Sequence, residues 1–374
     1  MSGAKTMSGG EFVMYGAEFS LYSGKLRSYL YKKGIPFREV RPWAMTYKRF
    51  IVPRTGVSYI PVLQSPDDEV WQDTSVIIDT LESLFPDNPM IPKTPRRRLA
   101  SLILELFGDE WLLNVAMHYR WNVPENDLQD LFVDFGKIVL PWGPRVLHRK
   151  LGRSLASRFK KFVPRLGVTT ETTPALELWY EKFLVDLETH FGTHDYLLGA
   201  HPTIADFGFI GPFYAHLYRD PVPGHYLRAH APQVVKWIER MMAPDSVVVK
   251  ASSDDEIPTT LLPILQSFSS EQLPVLRDTA AVFDRWARSQ SEGASIPRHL
   301  GTHAVRMAGV DTDRSVLPYS LWMMQRVVDY RCSSEQSERD EIDAFLLTID
   351  ADLSTWQQST RIERRDNRLW IAPK

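Results

Sequence analysis

The stretch from Glu11 to Gly34, EFVMYGAEFSLYSGKLRSYLYKKG, decides the reading of the fold. EFVMY (Glu11 to Tyr15) is a short strand candidate. After it, Leu26, Tyr29 and Leu30 recur at helical spacing up to Gly34, a C-terminal stop with Pro36 just beyond. The unit is therefore strand, turn, helix. Moving outward, FREVR (Phe37 to Arg41) alternates as a second strand, and YIPVL around Pro61 and EVW (Glu69 to Trp71) supply two more, joined by the turn-like SPDDE. DTSVIIDTLESLF restarts a helix that Asp73 or Thr74 caps, with Ile77, Ile78, Leu81 and Leu84 on its apolar face. The order β-α-β-(loop)-β-β-α predicts a compact α/β domain over residues 11–92.

Beyond Pro95 the pattern changes to long amphipathic runs: Leu99 to Trp121, Ala175 to Phe191, Ile204 to Tyr218 and Val234 to Met242. An all-helical domain over 93–250 is expected, entered through the proline-rich linker PDNPMIPKTPRRR, whose prolines stiffen the chain and cannot donate helical hydrogen bonds. Residues 1–10 read as a flexible polar arm and not as a secretion signal, since they have no apolar core. A break near ASSDDEIPTTLLP opens a mainly helical extension over 251–374, with an irregular stretch between Ala294 and Pro318.

Composition narrows the function classes. The 374 residues hold 44 Lys plus Arg against 46 Asp plus Glu, a net charge of −2, so no global field draws in nucleic acid or an anionic membrane. The single cysteine, Cys332, permits neither an intrachain disulfide nor a cysteine-based zinc cluster, and a cytoplasmic location is the expectation. No window reaches the roughly 18 consecutive apolar residues of a membrane span.

Three segments carry chemistry. The turn YGAEFSLYSGKLR puts Ser20 and Ser23 at the start of the first helix, where free N–H groups and the helix dipole favour an anion such as a thiolate. A hydroxyl that donates to a thiolate lowers the thiol's pKa; the same serine also reads as a plain N-cap. Ile60-Pro61 lies between loop and strand, and a cis bond there turns the backbone of Ile60 toward an extended peptide. WQDTS offers Gln72, Asp73 and Thr74 at another helix start: a carboxylate for an ammonium, and a hydroxyl with backbone N–H groups for a carboxylate. Alone, that segment too is an ordinary cap.

In this order and spacing, together with KKGIPF after the first helix and LLGAHPTIADFGF in the helical region, these segments resemble the glutathione transferase superfamily over about residues 11–245. The resemblance implies a thioredoxin-like N-terminal domain followed by an all-α domain, with glutathione as co-substrate and no metal. It implies that Ser20 activates the glutathione thiol, that Ile60 at Pro61 pairs with the cysteinyl backbone, and that Gln72, Asp73 and Thr74 hold the γ-glutamyl end, with Lys48, Arg49 and Arg54 candidates for the glycyl carboxylate. Leu21 stands where the family often has proline after the activating residue, so Ser23, Tyr22 and Tyr15 stay open as alternatives. No cysteine lies near this turn, which disfavours an enzyme-thiol mechanism. Thr203 and Asp206 have the spacing of a reciprocal N-cap box, a folding element. In Phe107 to Trp121, Trp111, Met117, Tyr119 and Trp121 are candidate apolar walls for a hydrophobic electrophile, against the reading of plain core. The resemblance implies a two-fold homodimer unless the extension blocks it, and in some family members an acidic residue of this helix reaches the partner subunit's glutathione, which makes Asp109 and Glu110 lesser candidates for that role.

The expected function is glutathione conjugation to a hydrophobic electrophile. The alternatives are a transferase-like binding or scaffold protein and a glutathione-dependent isomerase or ether-cleaving enzyme. Nucleic acid is not an expected partner. Arg145 to Arg165 holds eight Lys or Arg and no acidic residue, and reads as a basic amphipathic helix whose solvated face is favoured over membrane contact. His299 and His303, four apart, are set aside as structural. Arg298, Arg306, Arg314, Arg326 and Arg331, with Tyr319 and Trp322 among them, are read as fastening the extension through ion pairs, in preference to covering the mouth of the site.

Overall fold

The computed structural model describes residues 10–246 and 254–373, so nearly all of the N-terminal arm, residues 1–9, lies outside the described residues. The N-terminal domain runs β1 (Phe12–Tyr15), α1 (Leu21–Lys33), β2 (Phe37–Val40), two short helices α2 (Ala44–Thr46) and α3 (Val52–Thr55), β3 (Val62–Gln64), β4 (Val70–Gln72) and α4 (Thr74–Leu84). Its sheet has the order β2-β1-β3-β4, with β1 and β2 parallel and the other pairs antiparallel. A parallel pair needs a crossover, which α1 supplies. Ser20 caps that helix at its start, and Gly34 ends it in the left-handed region at φ 73°, donating back to Leu30 and Tyr31. Leu26, Tyr29 and Leu30 are fully buried, as the spacing predicts.

The helical domain contains α5 (Pro95–Glu110), α6 (Leu112–Trp121), α7 (Gln129–Val139), α8 (Arg145–Lys160), α9 (Thr173–Phe191), α10 (Ile204–Pro212), α11 (Pro221–His230) and α12 (Pro232–Met242). The run read as continuous from Leu99 to Trp121 is broken at Trp111, and the run from Ile204 becomes π-helical over Phe213–Tyr218. Pro212 explains the second change, because it cannot donate into the i→i−4 ladder. Thr203 N–H donates to Asp206 Oδ2 at 2.9 Å, and Asp206 also accepts from Leu197 N and Trp237 Nε1, so the box ties the start of α10 into the core. Helices α5 and α10 touch through glycines: a Cβ on Gly108 would lie 2.5 Å from the Gly208 carbonyl carbon, which no side chain tolerates.

The extension contains α13 (Leu262–Ser267), α14 (Leu273–Ala287), β5 (Thr302–Met307), β6 (Val310–Ser315), α15 (Pro318–Ser333), α16 (Gln336–Thr348), β7 (Ile362–Arg365) and β8 (Arg368–Ile371). The extension is mainly helical as expected and adds two β-hairpins, one of them inside the stretch read as irregular. Their turns, Ala308-Gly309 and Asp366-Asn367, have positive φ at both central residues, the geometry that matches strand twist in a two-residue loop. His303 lies on β5 and His299 in the preceding loop, so the two do not share a helix face. Among the described residues no group of three or more His, Cys, Asp or Glu is placed to hold a metal, and no helix is long and apolar enough to cross a membrane.

The extension is no appendage. Phe268, Phe283, Met324 and Ile371 belong to the same hydrophobic cluster as Leu26 and Phe107. Helices α15 and α16 pack on α5, and Asp255 takes the Arg96 and Arg97 backbone N–H groups at the start of α5. At the centre, the buried Lys25 ammonium of α1 lies 2.8 Å from Glu105 and 2.5 Å from Asp109 on α5, and donates to Ser75 on α4. Arg326 of α15 completes the group, pairing with Glu105 and Asp79 at 2.8 Å each. Burial opposes ionisation of Glu105, but Arg326 and Lys25 more than offset it and take the carboxyl down to about 2. Replacing Lys25 with Ala leaves the buried Asp109 carboxyl without its cation while Glu105 keeps Arg326, so a loss of about 3 kcal/mol in urea unfolding is expected; a loss below about 1 kcal/mol would show that the group is dispensable.

Candidate functional site

Sheet register assembles the three sequence segments. Tyr15 at the end of β1 pairs with Val62, and Val62 pairs with Gln72 at the end of β4. The next residues at the same sheet end are the Gly16–Ser20 turn, Ile60-Pro61 and Asp73-Thr74. The Ile60-Pro61 bond is cis.

Ser20 is half-buried, and its Oγ accepts from Ser23 N at 3.4 Å, leaving the hydroxyl hydrogen without an acceptor among the described residues. The alternatives are committed elsewhere. Ser23 is fully buried, and its Oγ accepts from Ala17 N to close the turn. The Tyr22 hydroxyl donates to the Asp109 carbonyl, and burial pushes its pKa well up. The Tyr15 hydroxyl donates to Gln64 at 3.1 Å and its ring packs on Phe50, with burial again raising its pKa.

Asp73 sits at φ 83° and divides its carboxylate. Oδ1 accepts from Ser75 N and Val76 N, the cap that the sequence reading weighed; Oδ2 faces away from the helix. There it accepts from the Tyr319 hydroxyl at 2.7 Å, and Arg364 Nη2 stands 3.7 Å off while donating to Gln72 Oε1 and to the Gln72 carbonyl. Asn367 and Arg368 continue the contact, donating to the Thr55 and Gly56 carbonyls, and Arg298 lies over the Tyr59 ring. The extension therefore covers the Asp73 end of the site. Arg326 fastens it as expected, but Arg364 was not singled out; its only sequence signal was the Asp366-Asn367 turn that aims it. Thr74 is buried as the first residue of α4. Lys48 is exposed, with no ion pair among the described residues, whereas Arg54 pairs with Asp68.

Of the expected apolar walls, Trp111 is buried under the Arg314 guanidinium, Tyr119 packs on Tyr180, and Met117 is nearly buried. Trp121, the fourth of these candidates, belongs to the aromatic group next to Ser20 in the chain. Phe19 packs on Phe135 at 4.7 Å, and Trp121 meets both Phe135 and Phe159. Arg120 holds Phe19 by donating to its carbonyl while paired with buried Asp220. Asp109 and Glu110 face inward, so neither reaches outward to a second subunit.

Residues 14–89 match the family model described as glutathione S-transferase, N-terminal domain, and residues 171–245 the one described as glutathione S-transferase, C-terminal domain. Comparison with the curated proteins finds no match. Among solved structures the chain is similar to a glutathione S-transferase of Methylobacterium radiotolerans in complex with glutathione sulfonate, at 20% identity and TM-score 0.38 over 66% of this chain and 99% of that one. It is also similar to the β-etherase LigF of Sphingobium sp. at 18% identity and TM-score 0.41, covering 63% of this chain and 96% of that one. The transferase GSTFuA3 of Phanerochaete chrysosporium gives 18% and 0.45, covering 64% and 99%. The assignment is carried by the two domain matches alone.

One carboxyl beside the site gives a pH signature. Burial, and secondarily the charge of Asp109, lift the Glu110 carboxyl from 4.5 to about 8. The folded chain then holds this proton more tightly than the unfolded one, so the stability it contributes is full below about 4.5 and is lost as pH rises through about 8. Glu110→Gln, neutral at every pH, is expected to flatten that decline in urea unfolding measured across this range; parallel profiles for the two proteins would refute the assignment.

Proposed function

We propose glutathione conjugation to a hydrophobic electrophile for a chain that belongs to the glutathione transferase superfamily. The observation that carries the reading is the register that sets Ser20, Ile60-Pro61 and Asp73-Thr74 at one sheet end. In this reading the Ser20 hydroxyl donates to the thiolate at the α1 N-terminus, and the thiol proton passes to solvent. The Ile60 backbone pairs with the cysteinyl unit, Asp73 Oδ2 and Gln72 receive the γ-glutamyl ammonium, and Thr74 receives its carboxylate. Lys48 meets the glycyl carboxylate. The sulfur forms a bond to an electrophilic carbon of a hydrophobic substrate as the leaving group departs with its electron pair. Catalysis is thiolate activation plus positioning. Isomerisation and ether cleavage begin with the same thiolate and are the further alternatives. No metal takes part in the proposal, and a cytoplasmic location belongs to it through the lone Cys332.

One observation favours the second reading, a transferase-like scaffold: Tyr319 and Arg364 already occupy the donors' places at Asp73 and Gln72. Glutathione binding then requires these side chains to be displaced. The homodimer is likewise a proposal. Because α15 and α16 cover α5, a two-fold interface would have to use another face, and a monomer mass in light scattering would exclude it.

Titration calorimetry with reduced glutathione, followed by thiolate absorbance against pH, tests the proposal. Binding with a depressed thiol pKa is expected, and Ser20→Ala should raise that pKa while losing about 1 kcal/mol of stability with its helix cap and keeping the parent's circular dichroism; an unshifted pKa would remove Ser20 as the activating group. Tyr319→Phe combined with Arg364→Ala should tighten glutathione binding by about tenfold, since two competing hydrogen bonds to the subsite are lost. Absence of binding in both proteins up to millimolar ligand would establish the scaffold reading.

A further inference from the structure

Helices α7 and α8 form a hairpin packed as tightly as backbones allow. A Cβ on Gly136 would lie 2.0 Å from the His148 carbonyl oxygen, and one on Gly152 would lie 1.7 Å from that of Phe132, so only glycine fits at either crossing point. The root is fixed by Phe135 and Phe159 against Trp121. The hairpin is therefore rigid, and what it presents at its tip is presented in a fixed geometry.

The tip, VLPWGPRVL over 139–147, is apolar and open. Trp142 is 63% exposed and Val146 74%, and Val139 and Leu147 are exposed as well. These make four of the ten large hydrophobic side chains exposed among the described residues. Such clustering on one element marks an interaction surface, whereas scattered exposure needs no explanation. The sole aromatic contact of Trp142 among the described residues is Trp43, edge-on at 5.2 Å, from the loop that leads into α2. Behind the tip, α8 carries exposed Arg145, Lys150, Arg153, Arg158 and Lys160, and no Asp or Glu occurs from Phe135 to Thr170. The nearest acids come from α7: Asp130 pairs with Arg145, while Asp134 is shared by Arg41 and Lys137. Lys150, Arg158 and Lys160 have no acidic partner among the described residues.

We propose that this hairpin tip docks the protein on an anionic lipid surface, with Trp142 and Val146 entering the headgroup boundary and the α8 cations facing the lipid phosphates. The chemistry fits a bilayer surface on three counts. Tryptophan favours the membrane interface, an apolar tip of nine residues dips into it without spanning it, and the flanking charge is of one sign. The sequence reading preferred a solvated face for α8; what changes that reading is the exposed apolar tip, which helical spacing did not reveal.

The full chain is to be co-sedimented with vesicles of phosphatidylcholine and phosphatidylserine in equal parts, and with vesicles of phosphatidylcholine alone. Binding to the anionic vesicles only is expected, weakening as salt is raised. Trp142→Ser with Val146→Ser should weaken it by about tenfold or more. Lys150→Gln with Arg153→Gln should weaken it by about thirtyfold. All four side chains are exposed, so far-ultraviolet circular dichroism should match that of the parent. No binding at low salt, equal binding to neutral vesicles, or binding indifferent to both variants would overturn the proposal. So would a concentration-dependent dimer mass that Trp142→Ser abolishes, which would make the tip a contact between copies of this chain.

Discussion

A single buried ammonium organises this molecule. Lys25, with no exposed surface, must be met by charge and hydrogen bonds or it would not stay ionised, and Glu105, Asp109 and Ser75 meet it. Each partner comes from a different helix than Lys25 itself. Satisfying it locks α1 of the α/β domain to α4 and to α5 of the helical domain, and Arg326 brings α15 to the same group. Because α1 begins at Ser20, the network also sets where the candidate thiolate site stands relative to the helical domain. Desolvation makes the arrangement all-or-none: a half-satisfied group of this kind costs more than an apolar core would.

The same attachment brings the extension to the ligand site. Once α15 is pinned through Arg326, Tyr319 lies seven residues earlier on that helix, and its hydroxyl reaches Asp73. The β7–β8 hairpin then adds Arg364 beside Gln72. Asp73 can serve two purposes because a carboxylate has two oxygens: one holds the α4 N-terminus and the other is available to a partner. A guanidinium and a ligand ammonium carry the same charge and seek the same acceptors. An ammonium held at Asp73 would therefore be linked to the position of the extension, and such a linkage is reciprocal by thermodynamic necessity.

Several features were legible in the residues because they are local. The strand-turn-helix of 11–34, the glycine stop at Gly34 and the Thr203-Asp206 box depend on neighbours within a few positions, and the chain forms them as read. The two hairpins of the extension were missed although their signals are also local. Ala308-Gly309 and Asp366-Asn367 mark two-residue turns with positive φ, and the flanking residues are too polar to show a buried alternation. The break at Trp111 has no signal in the helical periodicity that runs through it.

By itself the sequence determined the order of the strands and of the two long helices in the first 85 or so residues, though not α2 and α3 in the segment read as a loop, together with the caps and the residue types on offer at Ser20, Pro61 and Asp73, since these follow from backbone preference and side-chain chemistry over short range. Only the tertiary structure decided which of the nearby hydroxyls stays free. Ser23, Tyr22 and Tyr15 are each hydrogen-bonded to another group, at separations of up to 87 positions. It also decided that Asp73 faces Tyr319, 246 positions on, and that Trp142 stands in the open. Contacts at such separations depend on how the helices pack around one buried charge, and that packing is a property of the whole chain.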